Sequence, residues 1–178
     1  MADMSFYVEI KGVSELNQKL FDLGRKGWKI IGKAEKIGAD YLITELRKTT
    51  RYWKRKVDFS ASQPIETPGT QTITITTEDV IWNMLNKGTR PHVIVAHNPT
   101  GRLWFYAGGF VSKTTPGSLY SGPGTRASYD FRTPQSVNHP GTVARDWSGQ
   151  IRRDYGDKAA RKMIDYAKNE IDQLIKAV

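Results

Sequence analysis

The sequence predicts an α+β fold: an antiparallel sheet packed against N-terminal helices and a long C-terminal helix, with a long loop insertion. Three observations predict it. Trp147, Ile151, Tyr155, Ala159, Met163, Ala167, Ile171 and Leu174 recur at spacings of three or four, and Ile175 and Val178 extend that stripe, the period of one helix face. Thr72-Ile73-Thr74-Ile75-Thr76 alternates strictly, the pattern of a half-buried strand. Residues 107–130 are rich in Gly, Ser, Pro and Thr, and loops of that length are usually functional or mobile. A chain of 178 residues suits one domain with a real core. Its parts are 1–56 (strand, helices and a basic end), 57–106 (sheet region), 107–142 (extended arm) and 143–178 (final helix).

The elements follow in order. Phe6, Val8 and Ile10 alternate with Tyr7, Glu9 and Lys11, a strand that Gly12 ends. Ser14 can cap a short helix bearing Leu16, Leu20 and Leu23, which Gly24 and Gly27 interrupt. A longer helix carries Ile30, Ile31, Ala34, Ile37, Tyr41, Leu42 and Leu46, and its far end carries cations that complement the helix dipole. Residues 58–70 read as a loop from their Ser, Gln, Pro, Thr and Gly. Glu78 to Asn86 is too densely apolar for a one-faced strand; a short buried helix ending near Gly88 is preferred, with a strand as the alternative. Val93-Ile94-Val95 and Leu103-Trp104-Phe105-Tyr106 flank His97-Asn-Pro-Thr-Gly101, which reads as a hairpin.

Composition narrows the function classes. Lys and Arg number 27 against 18 Asp and Glu, a formal net charge of +9 with a pI near 9.7. That balance favours polyanionic partners. With no cysteine, disulfides, thiolate ligands and thiol catalysis are excluded. No apolar run approaches the roughly 18 residues of a membrane span. The opening MADMSFYVEIKG lacks the layout of a signal peptide, so neither membrane nor export is expected.

Candidate chemistry is sparse. His92, His97 and His139 are the residues able to titrate near neutrality. They read as turn-corner imidazoles beside Pro91, Pro99 and Pro140, or as a converging metal or acid/base site, although no zinc spacing is present. Glu78-Asp79 reads as a helix N-terminus ahead of a nuclease metal site. The stretch 47–56 holds six cations and no acid around Tyr52 and Trp53. Phosphate contact by Arg51, Lys54, Arg55 and Lys56, with Tyr52 and Trp53 anchoring, is one reading; a solvated helix end is the other.

Two short motifs add a resemblance. Trp82-Asn-Met-Leu-Asn86-Lys-Gly88-Thr89-Arg90-Pro91-His92-Val-Ile94 is followed by Val137-Asn-His139-Pro140-Gly141-Thr142-Val-Ala144-Arg145-Asp-Trp147. In this order, with the opening strand and Lys-rich helix, they resemble the tail-completion and neck protein family of long-tailed bacteriophages, the minor tail protein Z group. The extended 107–130 loop and the tryptophans at 104 and 147 depart from that pattern. The resemblance implies a structural virion protein at the head–tail joint, built in the host cytoplasm as a homo-oligomeric ring, hexameric in this family. It further implies head–tail connector and tail-terminator neighbours and contact with phage DNA, without catalysis, cofactor or metal. Read physically, the motif residues are fold corners: Gly88 for positive φ, Pro91 for an extended chain, and His139 to Thr142 as a tight turn presenting Thr142 or Asp146 as a helix cap. Tyr120 and Tyr129 mark the loop as a partner arm.

Overall fold

A computed structural model describes residues 6–7, 25–67, 70–97, 103, 105–106, 111–125, 129–130 and 136–176. In chain order the elements are β1 (Phe6–Tyr7), α1 (Arg25–Lys48), β2 (Ser60–Ala61), β3 (Ile65–Thr67), β4 (Thr70–Thr72) and β5 (Thr74–Thr76). Then come α2 (Val80–Lys87), β6 (His92–Val95), β7 (Phe105–Tyr106), β8 (Tyr129–Asp130), β9 (Ser136–His139) and α3 (Trp147–Lys176). Helices and small antiparallel sheets with a long C-terminal helix make this an α+β protein. The expected helix over Leu16–Leu23 and the strand residues Val8 and Ile10 lie outside the described residues. No described helix is long and apolar enough to cross a membrane.

The chain gathers into two compact units. The first comprises Met1–Arg47, Asp58–Glu78 and Ser148–Val178. Its two long helices run antiparallel and meet along small, apolar stripes. Ile30 and Ala34 of α1 pack on Met163 and Ala167 of α3, with Tyr166, Ile171 and Leu174 around them. Gly38 permits the close approach: a Cβ there would stand 2.5 Å from the Met163 sulfur. Tyr41 meets Tyr155 edge-on at 6.3 Å. The stripe of α3 is buried at Ile151, Ala159, Met163 and Ala167, whereas Ile175 is 61% exposed and falls off it. In the three-stranded sheet β5 is central, with Phe6 and Ala61 both paired to Ile75, which is buried.

Three expectations change here. Gly27 does not interrupt a helix but lies inside α1 and is buried; its propensity cost of about 1 kcal/mol is outweighed by the buried stripe that follows. Residues 58–70 are not one loop, since β2 joins β5 and β3 joins β4. Backbone pairing rather than apolar alternation makes those strands. The Thr72–Thr76 strand is likewise divided at buried Ile73 between two sheets, β4 pairing with β3 and β5 with β1 and β2.

The second unit comprises Lys48–Val57 and Asp79–Trp147. Asp79 caps α2 in extended conformation, accepting the Trp82 N–H at 2.8 Å, and Gly88 ends the helix at φ 77°. α2 is the short helix expected, buried on one face only, at Trp82, Asn83 and Asn86; Val80, Ile81 and Met84 are each at least half exposed. The expected hairpin of Val93–Val95 with residues 103–106 does not form. β6 pairs with β9 instead, and β7 with β8. Outside and within these lie the bridges Thr89↔Thr142 and Val111↔Thr125, so among the described residues four antiparallel pairings nest between 89 and 142. Alternation marks a residue run as a strand without naming its partner, and here a distant one matches better than the near one.

Candidate functional site

The two motifs of the sequence analysis form one corner of the second unit. Thr89 and Thr142 exchange both backbone hydrogen bonds, at 2.9 and 3.2 Å, and Thr89 Oγ1 accepts the Thr142 N–H as well. Thr142 therefore closes the corner and does not cap α3. Asp146 stands directly before that helix at φ 51°, its N–H donating to the Asn86 carbonyl. The Arg145 N–H donates to the Leu85 carbonyl, so the returning chain satisfies two of the carbonyls left open at the end of α2.

Register explains the composition of the motifs. Thr89↔Thr142 and His92↔His139 keep one register, which sets Arg90 opposite Gly141 and Pro91 opposite Pro140. Thr-x-Pro-His runs against His-Pro-x-Thr, mirror sequences, so antiparallel pairing puts like against like. The Thr pair is hydrogen-bonded; the Pro pair has no N–H to give on either strand, which interrupts the ladder between the Thr pair and the His pair. The imidazole centroids are 4.9 Å apart and tilted by 36°. Gly141 has φ 89°, and a Cβ there would collide with the Thr89 carbonyl oxygen; one at Gly88 would stand 2.6 Å from the Thr142 oxygen. Both glycines are required by backbone, not by flexible neighbours.

The imidazoles are turned to backbone. His92 Nδ1 donates to the Arg90 carbonyl at 2.9 Å, so its proton sits on Nδ1. His139 Nδ1 accepts the Gly141 N–H at 3.1 Å, so its proton sits on Nε2. A metal at the Nε2 atoms would have to displace that second proton. His97 is exposed just beyond β6 and is not part of the pair. Among the described residues no three of His, Asp and Glu converge to hold a metal ion.

The basic stretch is pinned in a turn. α1 ends at Lys48, so Arg51 to Lys56 lie beyond it in turns and are not the helix end the sequence indicated. Trp82 Nε1 donates to Thr49 Oγ1 at 3.0 Å. Trp53 meets Trp147 at 6.4 Å, and Trp147 meets Trp82 at 5.8 Å, so Trp53 is an anchor as expected. Tyr52 is held by backbone alone: its N–H donates to Ser121 Oγ at 3.4 Å and its carbonyl accepts from Lys113 Nζ. Its ring is 42% exposed with the Arg51 guanidinium 5.6 Å from its centroid. Arg55 pairs with Asp79 at 2.6 Å, and Lys54 and Lys56 are exposed.

That pinning also bears on the loop. Thr114 and Ser121 are buried and Trp147 Nε1 donates to the Ser118 carbonyl at 3.0 Å. Residues 111–125 therefore have contacts within their own unit. Tyr120 is 38% exposed; for Tyr129 the structure describes the backbone alone, paired with Tyr106. Sequence reasoning missed Lys113, the Arg55–Asp79 pair and buried Glu35. Of these only Glu35 left a signal, a carboxylate placed beside Ala34 on an otherwise apolar stripe.

Charge divides with the units. The second unit carries 12 Lys and Arg against 3 Asp and Glu, a net +9; the first carries 15 against 15, a net of zero. The whole formal charge of the chain thus belongs to the unit containing the corner and the basic stretch. Compared with protein-family models, curated proteins and solved structures, the chain matches none of them.

Proposed function

We propose that this chain is a structural virion protein of a long-tailed phage, one that completes the tail and joins it to the head at the neck as a subunit of a homo-oligomeric ring. The observation that carries the reading is the paired corner. Two short motifs matched by accident have no reason to meet residue against residue, yet Thr89 to His92 and His139 to Thr142 form a single feature. The two strings that carry the resemblance thus lie together in one corner of this chain. Ring neighbours would be further copies of this chain, with connector and tail-terminator proteins above and below. The exposed apolar side of α2, Val80, Ile81 and Met84, is a surface of the kind that subunits cover.

The role proposed is assembly: His92 and His139 each bond a backbone group through Nδ1, as fold corners should. Electron microscopy of particles made without this protein tests the reading. Filled heads and finished tails should accumulate unjoined; complete infectious particles would overturn it. Stoichiometric zinc in the purified protein, with nucleic-acid cleavage lost on His139→Gln, would replace it by a nuclease.

A further inference from the structure

We infer that the second unit binds the phosphate backbone of nucleic acid through Arg51, Lys54 and Lys56, with Tyr52 exposed among them to stack on a base. The inference rests on charge and geometry and stands apart from the neck reading.

Three observations carry it. Net charge is concentrated in one unit, 12 cations to 3 acids, while the other is balanced. Self-repulsion of this size opposes folding unless an anion offsets it. Second, Asp79, which reaches the stretch, is already used: it takes Arg55 on one oxygen and the Trp82 N–H on the other. The remaining acids of the unit, Asp130 and Asp146, lie outside 48–57. Arg55 is thus removed from the contact set that composition indicated, and Arg51, Lys54 and Lys56 are left. Third, the segment is rigid without help from its charges. Trp53 packs in the tryptophan cluster and both backbone groups of Tyr52 are bonded, so little ordering entropy is lost on binding.

Nucleic acid fits better than an acidic protein surface because of Tyr52. An exposed ring with a guanidinium on its face, flanked by cations, offers stacking together with phosphate contact. A carboxylate surface would use only the cations.

The test is fluorescence anisotropy with a labelled single-stranded oligonucleotide, the matching duplex, and poly-glutamate as an acidic-protein stand-in. Binding to the oligonucleotide should weaken steeply between about 50 and 200 mM salt. The triple variant Arg51→Gln/Lys54→Gln/Lys56→Gln should lose about tenfold or more in affinity, with a salt slope shallower by about three. Tyr52→Ala should weaken single-strand binding more than duplex binding. The control is Arg152→Gln/Arg161→Gln/Lys168→Gln, three exposed cations of the first unit, which removes equal charge elsewhere. It should bind as the unmodified protein does. Equal losses in both triple variants, or poly-glutamate binding as tightly as the oligonucleotide, would overturn the proposal. All of these positions are exposed, so matching thermal midpoints are expected and make the comparison direct.

Discussion

Glu35 is 7% exposed on α1, and its Oε2 is buried with no hydrogen-bond partner. Burial pushes its carboxyl from 4.5 up to about 7, since desolvation disfavours the charged form. The folded chain therefore keeps a proton that the unfolded chain releases between those values. Stability is greatest below about 4.5, falls as pH rises through the window, and has lost up to about 3 kcal/mol above 7 from this group. Glu35→Gln keeps the shape without the charge. Urea unfolding should show it more stable than the unmodified protein at about pH 8 and nearly equal at about pH 4. An equal shift at both pH values would mean that Glu35 does not titrate in the folded state.

At the scale of elements, Asp79 joins helix capping to the basic stretch. Asp79→Asn preserves the cap, because Asn and Asp cap about equally well, but releases Arg55. Stability should change by less than about 1 kcal/mol, while affinity for an oligonucleotide rises as Arg55 joins the contact set. Reduced affinity in that variant would show that Asp79 orients the stretch for binding. The elements also show what could be read in advance. α1 and α3 were legible because a stripe such as Ile151, Ala159, Met163 and Ala167 names both helix and buried face. α2 was legible from Asp79 and Gly88 at its ends. The partner of β6 was not, since Val93-Ile94-Val95 alternates identically whichever strand it meets. The mirror relation of Thr-x-Pro-His to His-Pro-x-Thr did hold that information, but reading it requires knowing that the two segments pair antiparallel. The cationic candidates were legible as a set; that Arg55 belongs to Asp79 was not, because 24 residues separate them.

For the whole molecule, the division of charge predicts a division in response to salt. The second unit should gain stability as ionic strength rises, because screening relieves repulsion among its 12 cations. The balanced first unit should respond little. Four of the five tryptophans fall in the second unit and one, Trp28, in α1 of the first, so tryptophan fluorescence is dominated by the second unit's melting while helix ellipticity is dominated by α1 and α3. The fluorescence midpoint should climb with salt and climb further with a short oligonucleotide, leaving the ellipticity midpoint nearly fixed. Parallel movement of both would show that the units unfold as one.

The register of the corner also makes it a place to staple the chain. Directly opposed residues of an antiparallel pair have Cα atoms about 4.5–5.5 Å apart, within the range that a disulfide spans, and His92 is paired with His139. The chain has no cysteine of its own, so His92→Cys/His139→Cys has a single possible intramolecular bridge. Oxidation should close a covalent loop from 92 to 139, seen as faster migration on a non-reducing gel and reversed by reductant. Chain-entropy arithmetic sets the gain at about 4 kcal/mol, less what the imidazole bonds to Arg90 and Gly141 had contributed. Shifting one cysteine by a residue, to Val93, turns its side chain to the other face of the ribbon, and the crosslink should fail.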